Sequence, residues 1–130
     1  MGQLTELTES FRRCTAQPYF FDRFYARLFE LLPSVKPLFD KVEMEHQQAM
    51  IRKGITSFLL MAASGNADSE FLHGVRHSHG EEGMKLTGRD YGYWVDAMID
   101  TIQATDPDYT RELGDAWRRV LERGIQELMR

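Results

Sequence analysis

The sequence predicts an all-α protein with six to seven helices in a single domain over residues 1–130. Three observations support this fold class. Apolar residues recur every three or four positions along most of the chain, which is the spacing of one helix face. No segment alternates apolar and polar residues as a half-buried strand would. The four prolines and several of the glycines fall between the apolar stretches, so they divide the chain into separate helices.

Two helices and a short corner are predicted in the first third of the chain. The apolar face of the first helix consists of Leu4, Leu7, Phe11 and Cys14. Pro18 suits the first turn of a second helix, where its missing N–H costs nothing. The inner residues of that helix are Phe21, Phe24, Tyr25, Leu28, Phe29 and Leu32. Pro33 and Pro37 then end it and predict a short tight helix that stops near Phe39.

A long helix is predicted from about Glu43 to Ala63. The row of residues expected on its inner face is Met44, Gln47, Ile51, Ile55, Phe58 and Ala62. Gln47 is the one polar member of this row. Such a residue either reaches the surface or donates a hydrogen bond into a cavity.

The next helix is predicted to begin after a loop at 65–68, with Asp68 or Ser69 as its N-cap, and to end around residues 79–80. Residues 81–88 then form a connector that contains glycines. Thr87 is predicted to start the helix that follows. The inner face of that helix consists of Tyr91, Val95, Met98, Ile99 and Ile102.

The last helix is predicted to begin at Asp106 and Pro107, which have the order of an N-cap followed by a first-turn proline. Its inner face is expected to consist of Leu113, Trp117, Val120, Leu121, Gly124, Ile125 and Leu128. These residues again follow helical spacing, so the pattern predicts a closing helix with one apolar side.

Composition and charge exclude several classes of partner. The net charge is −4, from 16 basic and 20 acidic residues, and no basic run of five occurs, so neither nucleic acid nor a membrane surface is expected as a partner. The longest apolar run, residues 58–63, is too short to cross a bilayer. The N-terminus lacks the pattern of a signal peptide, so a cytoplasmic location is expected. The single Cys14 excludes an internal disulfide and a cysteine zinc cluster.

One histidine is placed to hold an iron atom. Leu72, Val75 and His79 are spaced at i, i+3 and i+7, so one helix face can pack on a flat cofactor and also present an imidazole. Histidine is the commonest haem ligand in helical proteins, and its unperturbed pKa of about 6.5 leaves it largely neutral at pH 7. The residues therefore suggest a histidine-ligated haem.

Two other interpretations of this histidine remain open. In the first, His79 is a structural or surface residue. In the second, His73, His77 and His79 bind a small transition-metal ion, although no cysteine or clear carboxylate completes that set.

Polar and aromatic residues on other helices could face the iron. On the long helix Gln47 is the first candidate, with its neighbours Gln48 and His46 as alternatives. Tyr25 is the second, because it lies in line with the apolar residues of its helix and a buried hydroxyl needs a partner. Phe39 follows two prolines in a rigid corner, where its ring can stack on a porphyrin. For Tyr25 and Phe39, plain core packing is an equally good interpretation.

An ordered set of residues resembles a known family. The stretch from Phe24 and Tyr25 through Pro33 to Phe39 closely resembles the second helix and corner of the globin domain of flavohaemoglobins and single-domain bacterial globins. The same order continues through Gln47, Ile51, Val75, His79, Gly83 and Tyr91, and ends in Asp115, Ala116 and Trp117. The resemblance covers nearly the whole chain.

The resemblance implies a globin fold with haem b (iron protoporphyrin IX) wedged between the long helix and the His79 helix. His79 then resembles the proximal iron ligand, and Phe39 the phenylalanine that stacks on haem. Tyr25 and Gln47 resemble the distal pair that hydrogen-bonds iron-bound O2. The remaining residues expected to contact haem are Ile51, Val75, Met84, Tyr91, Val95 and Met98.

The chain departs from the family in three places. The corner after Phe39 is a residue or two shorter, which keeps Gln48 and His46 as alternatives to Gln47. The connector after His79 is about two residues longer, so the tyrosine beside that histidine is Tyr91 or Tyr93. The proximal glutamate of flavohaemoglobins would fall after the last residue, and neither a flavin nor a nicotinamide domain is present.

The expected function is reversible binding of a diatomic gas, O2 first and also NO and CO. The alternative is oxidation of NO to nitrate, which makes the chain an enzyme only if a separate reductase supplies electrons. In a variant of the first hypothesis, His46 is a sixth iron ligand. A sensor or a haem-free module is less favoured, because the chain has no output domain and retains His79.

Overall fold

The computed structural model describes residues 2–39, 43–64 and 88–128. This part of the chain is helical and contains no strand, which confirms the all-α fold class. Its elements are α1 (Gly2–Thr15), α2 (Phe20–Leu31), a 3-10 helix (Pro33–Phe39), α3 (Met44–Ser64), α4 (Gly88–Thr105) and α5 (Arg111–Leu128). The helix predicted to end at residues 79–80 lies outside the described residues.

Pro18 lies in the turn before α2, so its predicted position in the first turn of that helix is wrong. The N–H of Phe20 donates to the carbonyl of Gln17 at 3.1 Å, and α2 begins at Phe20. Pro18 is therefore the second residue of a tight turn, a position that its fixed φ favours. Tyr19 precedes the first helical residue, and its carbonyl accepts the N–H of Arg23 at 2.9 Å.

The predicted corner is confirmed as a 3-10 helix that ends at Phe39. The N–H of Leu32 still donates to the carbonyl of Leu28 at 2.8 Å, after which Pro33 starts the tighter helix. Pro37 lies inside it. Val35 is buried and attaches the corner to the core. The two prolines therefore end α2 and keep the corner compact.

The long helix was predicted to within one residue at each end. Ile55 and Phe58 are buried as expected, whereas Ala62 is exposed and its neighbour Met61 is buried instead. Phe58 lies against α5 where a Cβ on Gly124 would overlap its ring. The missing side chain of Gly124 therefore allows α3 and α5 to approach closely, and this contact holds the second half of α3.

Helix α5 begins at Arg111, so the predicted start at Asp106 and Pro107 is wrong. Thr110 caps the helix instead, because its Oγ1 accepts the N–H of Leu113 at 3.1 Å. The carboxylate of Asp106 is occupied by other donors. It accepts the N–H of Asp108 at 2.9 Å, which closes a short turn between α4 and α5.

The predicted inner faces of α4 and α5 form much of the core. The buried residues of these two helices that were expected from helical spacing are Tyr91, Val95, Met98, Ile99, Ile102, Leu113, Trp117, Leu121, Gly124 and Ile125. Helix α2 packs along α4, where the rings of Phe24 and Trp94 meet edge to face with centroids 5.4 Å apart. No helix among the described residues is long and apolar enough to cross a membrane.

Candidate functional site

Tyr25 carries a polar group into the apolar interior. Only 4% of its surface is exposed, and its ring contacts those of Phe24 and Phe29, with centroids 5.2 Å and 6.0 Å away. Burial raises the pKa of the Tyr25 phenol above its ordinary value. The hydroxyl therefore keeps its proton at any physiological pH and can act as a hydrogen-bond donor.

The three candidates at the start of α3 have different surroundings. Gln48 donates from Nε2 to Oδ1 of Asp22, on α2, at 2.9 Å in an exposed contact. His46 is exposed. Gln47 and Gln48 are both half-buried, and Gln47 lies four residues before Ile51, which packs against the core. Gln47 is thus the one of the three that follows the inner row of α3.

Helix α4 supplies an apolar wall. Val95 and Met98 are buried, with exposures of 2% and 0%. Tyr91 is buried on the same helix, and burial raises the pKa of its phenol. Tyr93 is half-buried instead, with the guanidinium of Arg89 6.0 Å from its ring centre. Of the two tyrosines that the sequence left open, Tyr91 therefore lies on the inner face.

Several predicted site residues fall outside the described part of the chain. These are Val75, His79 and Met84, together with the alternative metal set of His73, His77 and His79. The backbone of Phe39 ends the 3-10 helix, whereas its side chain is outside the described part. The structure therefore describes Tyr25, Gln47 and the inner face of α4 individually, whereas their arrangement around one site with His79 stays a prediction.

A surface cleft of about 440 Å³ lies between α2 and α4. Its lining consists of Arg23, Arg27, Asp100, Thr101, Gln103 and Ala104. Arg23 and Arg27 are each two residues from Tyr25, which places them on the opposite side of α2. Arg27 donates from Nε to Oδ2 of Asp100 at 2.9 Å across this cleft. The cleft is therefore separate from the buried side on which Tyr25 lies.

Sequence reasoning missed a buried polar cluster that joins α1 to α5 and to the connection between α4 and α5. Asp106 accepts a hydrogen bond from Ser10 Oγ at 2.6 Å, and that hydroxyl accepts one from Trp117 Nε1 at 3.0 Å. Arg13 completes the cluster as the charge partner of Asp106. The one signal in the sequence is Asp106 itself, a charged residue directly after an apolar helix. The local pattern predicts only that this residue caps the next helix.

The helices define an all-α protein, and the buried Tyr25 places a polar hydroxyl in its apolar interior. The family model for globins matches residues 22–128, and the chain belongs to the globin family. The chain is similar to protein PA3967 of Pseudomonas aeruginosa PAO1, whose crystal structure is described as structurally highly homologous to a human haemoglobin. It shares 31% identity and a TM-score of 0.85, over 97% of this chain and 95% of that one. No curated protein matches the chain.

The described residues fit a haem, the group around which globins fold. A porphyrin needs an apolar wall, which the inner faces of α3 and α4 provide through Ile51, Val95 and Met98. A bound gas needs a hydrogen-bond donor, and the neutral phenol of Tyr25 is one. Among the described residues, no group of three histidine, cysteine or carboxylate side chains is placed to hold a bare metal ion.

Proposed function

We propose that this globin holds haem b and binds a diatomic gas reversibly, O2 first and also NO and CO. The observation that carries the proposal is the buried phenol of Tyr25, which is 4% exposed in an aromatic setting. A buried tyrosine hydroxyl that keeps its proton is a hydrogen-bond donor inside an apolar interior. Donating a hydrogen bond to a bound gas is a function that suits it.

When bound, haem would supply an iron atom that can bind the gas. His79 is the residue that we expect to hold the iron, through a neutral imidazole. Phe39, Val75 and Met84 are expected to complete the contacts with the porphyrin. Ile51 and the inner face of α4 exclude water from the site, which strengthens every hydrogen bond made inside it.

Tyr25 and Gln47 act on the gas side. A bound gas that carries partial negative charge would be released more slowly if a hydrogen-bond donor points at it. A charge-assisted hydrogen bond of this kind contributes roughly 1.5–3 kcal/mol. Gln47 is favoured over Gln48 and His46 as the second donor, because Gln48 already donates to Asp22 and His46 is exposed.

Reversible binding is placed ahead of NO oxidation on chemical grounds. Binding requires only the haem and the residues named above. Repeated oxidation of NO to nitrate also requires electrons, which a separate reductase would have to deliver. The chain is therefore proposed as a gas-binding protein that becomes an enzyme only with such a partner.

The visible absorption spectrum of the haem-reconstituted protein tests the proposal. The wild type is expected to show an intense haem band that shifts on adding CO to the reduced protein. His79→Ala is expected to lose or strongly alter that band, whereas His46→Ala, at an exposed position, retains it. A wild type that takes up no haem would refute the proposal, and an unchanged His79→Ala spectrum would move the iron ligand to another residue.

A further inference from the structure

Two side-chain contacts attach the start of α3 to the start of α2. Gln48 Nε2 donates to Asp22 Oδ1 at 2.9 Å. One turn further along α3, the guanidinium of Arg52 lies 5.4 Å from the centre of the Phe21 ring, within the range of a cation–π contact. Gln48 and Arg52 are four residues apart and share one face of α3. Together the contacts restrain both the position and the rotation of this half of the helix.

The direction of Gln47 depends on that restraint. Neighbouring residues on a helix point about 100° apart, so holding Gln48 at Asp22 also sets the direction of Gln47. Ile51, one turn further along the same face of α3 as Gln47, packs against the core. A small rotation of the first turns of α3 would move the Gln47 amide towards or away from the pocket.

We propose that Asp22 and Gln48 are positioning residues for the gas-binding side of the pocket, and this inference rests on the proposed function. The hydrogen bond between them holds α3 in the register that aims Gln47 at the bound gas. Neither residue touches the gas itself. Their role is to hold α3 in one orientation, and Gln47 on the inner face of that helix contacts the gas.

The rest of α3 is held independently of this contact. Phe58 packs on Gly124 of α5, and Ile55 is 1% exposed within the core. Loss of the Gln48 hydrogen bond is therefore expected to loosen the first turns of α3 and leave the fold intact. Thr56 offers a matched control on the same helix, because its exposed hydroxyl donates to the Arg52 carbonyl at 2.8 Å and does not reach α2.

The test uses the full haem-loaded chain and two readouts. The first is the infrared C–O stretching frequency of the CO adduct, which responds to hydrogen-bond donors beside the bound CO. The second is the O2 dissociation rate after stopped-flow mixing. Gln48→Ala is expected to shift the stretch in the same direction as Gln47→Leu. It is also expected to raise the O2 dissociation rate about two- to fivefold. This is less than the roughly tenfold increase expected when a whole hydrogen bond to the gas is lost.

The other variants sharpen the result. Asp22→Asn keeps an acceptor oxygen for Gln48 and is expected to resemble the wild type. Gln48→Glu opposes two carboxylates, so its effect should exceed that of Gln48→Ala. Adding Asp22→Lys to Gln48→Glu restores attraction and is expected to return both readouts towards wild-type values.

Three results would overturn the inference. If Gln48→Ala, like Thr56→Ala, leaves both readouts unchanged while Gln47→Leu shifts them, the positioning role is wrong and the gas-binding role of Gln47 stands. If Thr56→Ala shifts the readouts as much as Gln48→Ala, the loss of any side-chain hydrogen bond on α3 produces the shift, and the contact with Asp22 has no particular role. If Gln47→Leu itself changes neither readout, the distal assignment fails and the inference fails with it.

Discussion

The guanidinium of Arg13 donates a hydrogen bond to each oxygen of the Asp106 carboxylate. Nε donates to Oδ1 at 2.6 Å and Nη2 donates to Oδ2 at 3.0 Å, while the Asp106 side chain has no exposed surface. Ser10 and the N–H of Asp108 add one further hydrogen bond to each oxygen. The cluster ties α1 to the connection between α4 and α5, so a buried charge closes the end of the fold.

Removing this carboxylate is expected to destabilise the protein strongly. Asp106→Ala removes the acceptor of the Ser10 hydroxyl and the nearer acceptor of the Arg13 guanidinium, and should lower the free energy of unfolding by about 2–4 kcal/mol in urea titrations. Asp108→Ala is the control, because Asp108 is 71% exposed and lies 3.7 Å from Arg13. Its cost should stay below about 1 kcal/mol. Equal costs for the two variants would contradict a special role for the buried charge.

The stability contributed by Asp106 should depend on pH. Burial alone would raise the pKa of its carboxyl, but hydrogen bonds from Arg13, Ser10 and Asp108 outweigh burial and hold that pKa below its usual value. Stability from ionised Asp106 is therefore fully present above about pH 4 and is lost as the pH falls through the folded-state pKa. The difference in unfolding free energy between the wild type and Asp106→Asn should stay constant from pH 7 to about pH 4 and shrink as the pH falls further. A pH-independent difference would rule out this source of acid sensitivity.

The close approach of α3 and α5 predicts opposite effects for two glycine substitutions. A Cβ at Gly124 would overlap the Phe58 ring, so Gly124→Ala should lower the free energy of unfolding by about 1–3 kcal/mol. Gly92 lies inside α4, and a Cβ added there would have no atom of the described residues within 4 Å beyond its own helix backbone and chain neighbours. Gly92→Ala should therefore stabilise the protein by roughly 0.5–1 kcal/mol through helix propensity. Thermal unfolding of both variants checks the pair, and a stable Gly124→Ala would show that Phe58 can move aside.

The hydroxyl of Tyr25 is expected to control O2 release. Tyr25→Phe removes a donor from the apolar interior and should raise the O2 dissociation rate about tenfold or more, since a charge-assisted hydrogen bond is lost. Tyr19→Phe is the matched control, because Tyr19 is 43% exposed and Arg23 lies 4.4 Å from its ring centre. Stopped-flow displacement of O2 by CO measures both rates. Equal rates in wild type and Tyr25→Phe would remove Tyr25 from the gas-binding site.

Cys14 should be unreactive in the folded protein. Its side chain has no exposed surface, and burial raises the pKa of the thiol to about 12. The nucleophilic thiolate is therefore scarce at pH 8 and inaccessible to reagents. An aromatic disulfide reagent should label the only cysteine of the chain in urea, but negligibly in buffer over the same time. Rapid labelling in buffer would reveal frequent opening of α1.

The sequence alone determined the helical architecture of the described regions. The ends of α3 were predicted to within one residue, and the 3-10 helix was predicted to stop at Phe39, where it does. Most inner residues of α2, α4 and α5 are buried as their spacing indicated. These features follow from local rules, because helix period and proline geometry operate within a few residues of the chain.

Tertiary structure decided which partners the polar side chains contact. The local pattern made Asp106 a helix cap, but its strongest partner, Arg13, lies 93 residues away in the chain. Spacing likewise could not separate Gln47 from Gln48, because one residue along a helix is a rotation of about 100°. The neighbouring helix adds what spacing could not, since Gln48 donates to Asp22, whereas the role of Gln47 towards a bound gas stays a prediction. Periodicity identifies the apolar face of a helix, whereas the partner of a polar group depends on which distant residue the fold brings beside it.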